Sequence, residues 1–269
     1  MRQRGIAVRT ATVRAGMDIT AEVRKALSAK PSLVIAGGGD GTLNAVAQVL
    51  RQTDIPLGLI PMGTLNHLAR DLGIPLQPSA AIEVLPGSVP RRIDLGEVNG
   101  RIFLNNSIIG LYPRYEFLKA RSLQQGRFKL RAILSAIWSV FRRNPAMTLR
   151  LVADGRSFFL RTPYVMIGNN EHKMEGYEIG NRESLDRGEL VIYAMRRLSR
   201  WGLLKLAISL LFGRFRKQNA FETFRASHLR VETRRKAIRV ALDGDVVRMR
   251  TPLEYRSLPG TLTVLAPPK

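Results

Sequence analysis

The chain has 269 residues, is 45% hydrophobic and sets 43 Lys+Arg against 21 Asp+Glu, a formal net charge of +22. That length allows one large domain or two modest ones, since domains run to about 100–200 residues, and the absence of cysteine excludes disulfides and thiolate metal sites. A balance this basic favours nucleotide phosphates, anionic lipid surfaces or nucleic acid as partners, although arginine-rich codon usage gives the same charge with no such partner.

Met1–Arg14 is basic and lacks an apolar core, so no signal peptide is expected. Ala21–Ala29 reads as a helix stopped by Pro31. Leu33–Ala36 is a short, wholly apolar run of the kind found in buried parallel strands. Gly37–Gly41 follows as a loop, and Leu43–Gln52 has helical spacing at Leu43, Val46, Ala47 and Leu50. The pattern then repeats, with a strand over Ile55–Ile60, a loop over Pro61–Thr64 and a helix over Leu65–Leu72 closed by Gly73. Strand, glycine loop, helix is the α/β layout of a phosphate site.

Beyond Pro86 the texture changes. Short runs at Ile102–Leu104, Met147–Val152, Tyr164–Ile167 and Leu190–Ala194 predict a mainly β second domain. Two basic amphipathic helices are expected within it, Phe128–Arg143 and Trp201–Lys217. Their faces suit either packing on the β domain or docking on an anionic membrane. The longest apolar stretch, Trp201–Gly213, is interrupted by Lys205 and is shorter than the roughly 20 residues that span a bilayer. The expectation is a cytoplasmic chain, soluble or peripheral on the inner face of the membrane.

The first glycine motif is Gly37-Gly38-Gly39-Asp40-Gly41-Thr42-Leu43-Asn44. Consecutive glycines let several N–H groups converge on one anion, and the following helix adds its positive end. Thr42 is placed to cap that helix, with Asn44 in its first turn. Asp40 is unusual in an anion cradle, because a carboxylate beside phosphates implies a metal ion or a proton transfer. A lone motif of this kind also fits a tight turn with a solvated Asp40. The second motif, Pro61-Met62-Gly63-Thr64-Leu65-Asn66, repeats the Gly-Thr-Leu-Asn string of Gly41–Asn44 and favours one nucleotide cleft between two loops. His67, a single histidine in the first turn of a helix, reads as structural or peripheral. Asp243-Gly244-Asp245 and Asp154-Gly155 both read as hairpin turns between strand-like runs, the former between Leu229–Val240 and the segment from Val246.

Three segments, GGDGTLN at Gly38–Asn44, PMGTLNHLARDLGIP at Pro61–Pro75 and LDGD at Leu242–Asp245, resemble the diacylglycerol kinase catalytic family, which also covers sphingosine kinases and many bacterial lipid kinases. The resemblance runs from about residue 5 to the end. It implies a two-domain architecture: an α/β nucleotide-binding domain over 1–90 with 250–269 returning to it, and a β-rich lipid-substrate domain over 91–249. The implied reaction moves the γ-phosphoryl group of ATP, with Mg²⁺, onto a lipid hydroxyl. Gly38, Gly39, Asp40, Gly41, Thr42, Leu43, Asn44, Gly63, Thr64 and Asn66 are the implied nucleotide-site residues, and Thr12 is matched to a nucleotide-contacting threonine. The family's late Asp-Gly-Glu supplies the general base; here Asp245 or Asp243 takes that role, with Asp40 organising the nucleotide's Mg²⁺.

Two departures from the family stand out. Its members begin with a strand ending in Asn-Pro, whereas Ile6–Thr12 resembles its second strand. Bacterial relatives also carry an Asp-Gly that binds a structural Mg²⁺; aligned on Gly188, that position holds Arg187, and Asp186 stands one residue early. An arginine cannot ligate Mg²⁺ but could replace its charge through an ion pair. The expected partners are a lipid substrate at an anionic membrane surface, with a homodimer left open. No nucleic acid is expected, because no nucleic-acid module is recognisable and aromatics are only 7%. The alternatives are a kinase for NAD or another small molecule, sharing the GGDGT loop, and a non-catalytic binder of nucleotide or anionic lipid.

Overall fold

The computed structural model describes residues 7–14, 16–110, 146–175, 178–195 and 221–268. The two amphipathic helices expected at Phe128–Arg143 and Trp201–Lys217 lie outside these residues. Residues 7–14 carry no helix or strand, so the strand expected over Ile6–Thr12 is absent among the described residues and Thr12 is exposed.

The α/β layer opens with α1, Ile19–Leu27. It starts two residues before the expected Ala21 because Asp18 caps it, its Oδ1 accepting from the N–H groups of Thr20 (2.9 Å) and Ala21 (3.3 Å). Strand β1, Val34–Gly38, leads into helix α2, Asp40–Leu50. Gly37 and Gly38 are still paired with β2, Leu57–Pro61, opposite Ile60 and Pro61. Only Gly39 separates strand from helix, and it occupies the N-cap position with no side-chain cap. The expected loop over Gly37–Gly41 is therefore corrected: Asp40-Gly41-Thr42 form the first turn of α2, and Thr42 lies inside the helix rather than capping it. The apolar face of α2 goes into the core, with Leu43, Ala47 and Leu50 fully buried. Helix α3, His67–Asp71, follows β2 and is shorter than expected, because Asn66 adopts a left-handed conformation (φ 50°). Gly73, at φ 70°, provides the left-handed stop beyond the helix. Helix α4, Pro78–Val84, completes the layer.

Among the described residues the strands form two large sheets and a separate two-stranded one. Strand β3, Val89–Val98, crosses position 90/91, so the chain enters the second region within a strand and not through a linker. After β4 (Arg101–Phe103) and β5 (Asn106–Gly110) come β6 (Met147–Ala153), β7 (Arg156–Thr162), β8 (Tyr164–Asn169), β9 (His172–Glu175), β10 (Glu178–Arg182) and β11 (Leu190–Met195). Then follow β12 (Phe221–Ala226), β13 (His228–Glu232), β14 (Ala237–Leu242), β15 (Asp245–Arg250) and β16 (Leu253–Ala266). One sheet runs β1-β2-β16-β13-β6-β7, with β3 and β4 branching from β16; the other runs β12-β11-β8-β5-β14-β15. The expected single run Leu229–Val240 divides into β13 and β14, which belong to different sheets, and Thr233–Lys236 carries the chain between them. The facing sides of the sheets form one apolar core that includes Phe103, Leu151, Ile167, Ile192, Val231 and Tyr255.

Strand β16 joins the regions. Its first half pairs with β13, its whole length lies against β3, and Val264 pairs in parallel with Leu57 of β2. The pairing with β3 breaks between Leu258 and Leu262. There Asp94, 2% exposed, accepts from the N–H of Gly260 (2.8 Å) and also from Gly188 N (2.6 Å) and Asn170 Nδ2 (3.1 Å). A second buried link joins α3 to β10: Arg182 Nε lies 2.8 Å from Asp71 Oδ2, and Arg182 N donates to Asp71 Oδ1 at 2.9 Å. Both side chains are almost completely buried, at 0% and 4% exposure.

Removing one member of such a pair strands the other charge in the interior, at a cost of about 3–5 kcal/mol. Arg182→Leu is therefore expected to lower the unfolding free energy by about that amount in urea titrations, against less than about 1 kcal/mol for the exposed pair broken by Arg92→Leu, since exposed pairs contribute little. Equal effects would refute a structural role for the buried pair.

Candidate active site

The two Gly-Thr-Leu-Asn strings meet at the carboxyl ends of β1 and β2. Met62 N donates to Gly38 O at 2.9 Å, and the backbones touch at Gly39 and Gly63. A methyl group on Gly63 would lie 2.6 Å from Gly39 Cα, and one on Gly38 would lie 2.6 Å from the Thr42 side chain. These glycines are required by close packing. Together the loops leave the first turn of α2, an eleven-residue helix, facing the open end of the sheet with its positive pole.

Asp40 is the first residue of that helix. Opposite it is the hairpin between β14 and β15. The Asp-Gly turn expected there is present, with Asp243 at φ 48° and Gly244 at φ 98°. The two acids of this turn have different surroundings. The Asp243 carboxylate accepts from the backbone N–H groups of Leu104 (2.7 Å), Asn105 (2.8 Å) and Asn106 (3.0 Å), and from Asn44 Nδ2 (2.7 Å). Burial pushes its carboxyl up from the usual value, and these donors, which a carboxylate accepts in full, work against that. With two donors on each oxygen, no lone pair is left to take a proton from a substrate. Asp243, one of the two acids expected as candidate general base, thus anchors the Leu104–Asn106 segment and α2. Asp245, two residues on, is exposed, and its Oδ2 lies 3.2 Å from where a methyl group on Gly41 would stand. Its carboxylate overhangs the first turn of α2.

A cavity of about 110 Å³ lies between the layers, lined by Asp40, Leu65, His67, Leu104, Asn105, Asn106, Tyr164 and Asp243. His67, read from the sequence as structural or peripheral, is thus a cleft residue. Other expected site residues are placed differently. Leu43 is fully buried, leaving only its backbone for a ligand. Asn44 binds Asp243 and, more weakly, Ile102 O (3.3 Å). Asn66 is 5% exposed, accepting from Gly63 N (2.9 Å) and donating to Gly63 O (2.8 Å), so it shapes the second loop. Gly41 and Thr64 are exposed at the cleft's loops, and Thr42 is half-buried.

Among the described residues no group of three or more His, Asp and Glu is arranged to hold a metal ion. Asp40 suits a Mg²⁺ that takes most of its ligands from nucleotide phosphates and water, the usual manner of binding for that ion. Asp186 is not gathered with other acids; it bonds Ser184 Oγ and faces Arg91 at 3.7 Å. Arg187 lies 3.5 Å from both Glu171 and Glu183, the ion pairing by which a guanidinium would supply a cation's charge there.

Sequence reasoning missed Asn105, His172, Arg182 and Asp94. The Asn105-Asn106 pair between apolar runs was the one available signal. Asp71 and Arg182 are 111 positions apart, and no local pattern connects them.

The fold and cleft define a two-domain kinase architecture in which a glycine-loop α/β layer faces a β-sandwich. The family model for the diacylglycerol kinase catalytic domain matches residues 1–98, and that for the YegS C-terminal NAD kinase beta sandwich-like domain matches residues 119–266. A Pseudomonas fluorescens protein named "Probable lipid kinase YegS-like" is 33% identical over 251 residues, covering 91% of this chain and 81% of that one. A Staphylococcus epidermidis diacylglycerol kinase is 42% identical over 90 residues, 33% of this chain and 28% of the relative. A crystal structure of a diacylglycerol kinase from Bacillus anthracis superposes with a TM-score of 0.67 at 23% identity, covering 96% of this chain and 84% of that one, a likeness of fold. The chain belongs to the diacylglycerol kinase catalytic family, with a YegS-type C-terminal domain.

Gly63→Ala is expected to force the loops apart and weaken Mg·ATP binding at least tenfold by calorimetry. Asp243→Ala is expected to lower stability by several kcal/mol, because three backbone N–H groups lose their acceptor. An Asp243→Ala protein with unchanged melting would contradict the anchoring role.

Proposed function

We propose that this chain is an ATP-dependent lipid kinase that transfers the γ-phosphoryl group of Mg·ATP to a hydroxyl of a diacylglycerol-like or related lipid, releasing ADP. The observation that carries the reading is the meeting of the two glycine loops at Gly39 and Gly63, with Asp40 opening α2's first turn and Asp245 against that turn at Gly41. The glycines and the helix N-terminus bind phosphates. Asp40 is the residue that would hold a Mg²⁺ carried by the phosphates, and that ion would supply neutralisation of the charge on the transferred group. Asp245 accepts the proton of the attacking hydroxyl, its carboxylate free of the bonds that occupy Asp243.

The lipid would be met at an anionic membrane surface. The net charge of +22 supports such docking, with each basic residue near the surface worth about 1 kcal/mol. Among the described residues no helix is long and apolar enough to cross a membrane. A second reading, phosphorylation of NAD or another soluble alcohol, is favoured by one finding: the C-terminal match is to an NAD kinase beta sandwich-like domain.

The two are separated by labelled Mg·ATP offered to vesicles containing diacylglycerol, sphingosine or phosphatidylglycerol, and to NAD in solution. Label in the lipid phase alone is expected; label in NAD without vesicles would favour the second reading. Asp245→Asn is expected to lower turnover by about 10²–10⁴ with melting unchanged, and near-normal turnover would remove Asp245 as the base. Vesicle binding should rise with anionic lipid and fall with salt.

A further inference from the structure

The Leu104–Asn106 strap between β4 and β5 forms the sandwich side of the cleft. Its N–H groups are held by Asp243, and the Leu104 carbonyl accepts from Arg182 Nη1 (2.6 Å) and Asn169 Nδ2 (2.9 Å). The Asn105 side chain has its own support. Asn105 is 6% exposed, and its Oδ1 lies 2.8 Å from Nε2 of His172, which is 2% exposed at the start of β9. The backbone N–H of His172 in turn donates to the Tyr193 hydroxyl at 3.2 Å.

The chemistry of this contact determines which way the Asn105 amide faces. Burial and the Arg182 guanidinium lower the His172 pKa to about 3, so the ring is neutral at any working pH and carries a single N–H. His172 Nδ1 has no hydrogen-bond partner among the described residues. With the proton on Nε2, the one donor is satisfied by Asn105 Oδ1 and only a lone pair is left over. With the proton on Nδ1, the buried N–H would find no acceptor at hydrogen-bond geometry, only the nearby Asn170 backbone that acts to raise the ring's pKa, while two acceptor atoms faced each other at 2.8 Å. The amide oxygen of Asn105 is thereby committed to His172. Its NH₂ is the branch left for the cavity that Asn105 lines opposite Asp40.

We propose that Asn105 is a ligand-contacting donor of this cleft, its amide N–H bonding a substrate oxygen, and that His172 is the positioning residue that keeps the NH₂ end turned toward the ligand. This rests on the cleft being the site of phosphoryl transfer. An N–H donor fits an acceptor oxygen there, on a nucleotide phosphoryl group or on the lipid beside its reacting hydroxyl. An unsupported amide would also present its oxygen to those atoms, which repels them.

The test compares Asn105→Ala, His172→Phe, His172→Gln and the Asn105→Ala/His172→Phe double variant in the full chain, reading kcat, both KM values and melting temperature. His172→Phe removes the N–H, whereas His172→Gln offers an amide N–H of similar reach. Asn105→Ala should lower kcat/KM about 100-fold, the effect of losing one placed donor. His172→Phe should lower it about 10-fold or more and His172→Gln only a few-fold. The double variant should be no slower than Asn105→Ala, because His172 acts only through Asn105. A rise in KM for Mg·ATP would locate the bonded oxygen on the nucleotide, and a rise in KM for lipid on the acceptor. Equal losses in both His172 variants tracking melting temperature, additive losses in the double variant, or unchanged kinetics in Asn105→Ala would each overturn the proposal.

Two readouts stand apart from the kinase reading. ¹⁵N spectra of the histidine-labelled protein should show His172 as the neutral Nε2–H tautomer from pH 5 to 8. Calorimetric binding of Mg·ADP to wild type and Asn105→Ala shows whether the donor meets a nucleotide, even if no lipid is phosphorylated. A protein that turns over none of the acceptors would refute the reaction. An Nδ1–H tautomer or a ring that titrates in this range would refute the positioning role.

Discussion

The carboxylate of Asp243 constrains this molecule more than any other single group. It receives N–H donors from Leu104, Asn105 and Asn106 on the strap and from Asn44 in the second turn of α2, and its own backbone N–H donates to Asn106 O at 3.0 Å. Three elements distant in sequence therefore converge on one anion: helix α2, the Leu104–Asn106 strap and the β14–β15 hairpin. A buried carboxylate is tolerated only when its acceptor capacity is filled, and here all of it is. The left-handed backbone at Asp243 and the glycine after it turn the chain so that one acid points inward and Asp245 points out over α2. Two carboxylates two residues apart thus stand in different environments. The hairpin and the site are the same feature.

The glycine loops show a second constraint, purely steric. Backbone contact between Gly39 and Gly63 sets the spacing of the two loops, and Asn66 fixes the second loop by bonding both ends of the Gly63 peptide pair. Several polar residues of the repeated string are thereby used to hold the cradle. What the loops leave at the open end of the sheet is largely backbone N–H, the helix pole and a few side chains, groups suited to an anion.

The regions are linked by polar groups sealed from water as well as by β16. Asp71 with Arg182, and Asp94 with Gly188, Gly260 and Asn170, are each hydrogen-bonded in place, with Arg182 Nη2 the one nitrogen of its guanidinium that has no partner among the described residues. Glu97 is similar: burial pushes its carboxyl up, but Arg51 and Arg256, at 2.6 and 2.7 Å, outweigh that and hold it below the usual carboxylate range. Such groups contribute little net stability against apolar replacements but tolerate few alternative arrangements. They hold the cleft's two walls in a fixed relation, which phosphoryl transfer by positioning requires.

Much of this was legible in the sequence. The alternation of apolar runs with glycine loops gave the α/β layer, because strand burial and helix periodicity are local properties. The repeated Gly-Thr-Leu-Asn string gave the paired loops, and the short alternating runs gave the β region. Residue roles were less legible where they depend on distant partners. The sequence shows Asn44, Asn66 and Asp243 as polar residues in motifs; only the tertiary structure shows which protein groups they bond. His67, Asn105 and His172 carried no pattern that marked a cleft, since they come from different elements brought together by the folding of β5, β9 and α3. Local sequence fixes which backbone shapes are available, through sterics and periodicity. Which side chain faces a substrate is decided by which hydrogen bonds are already taken, and that depends on contacts up to 199 positions apart.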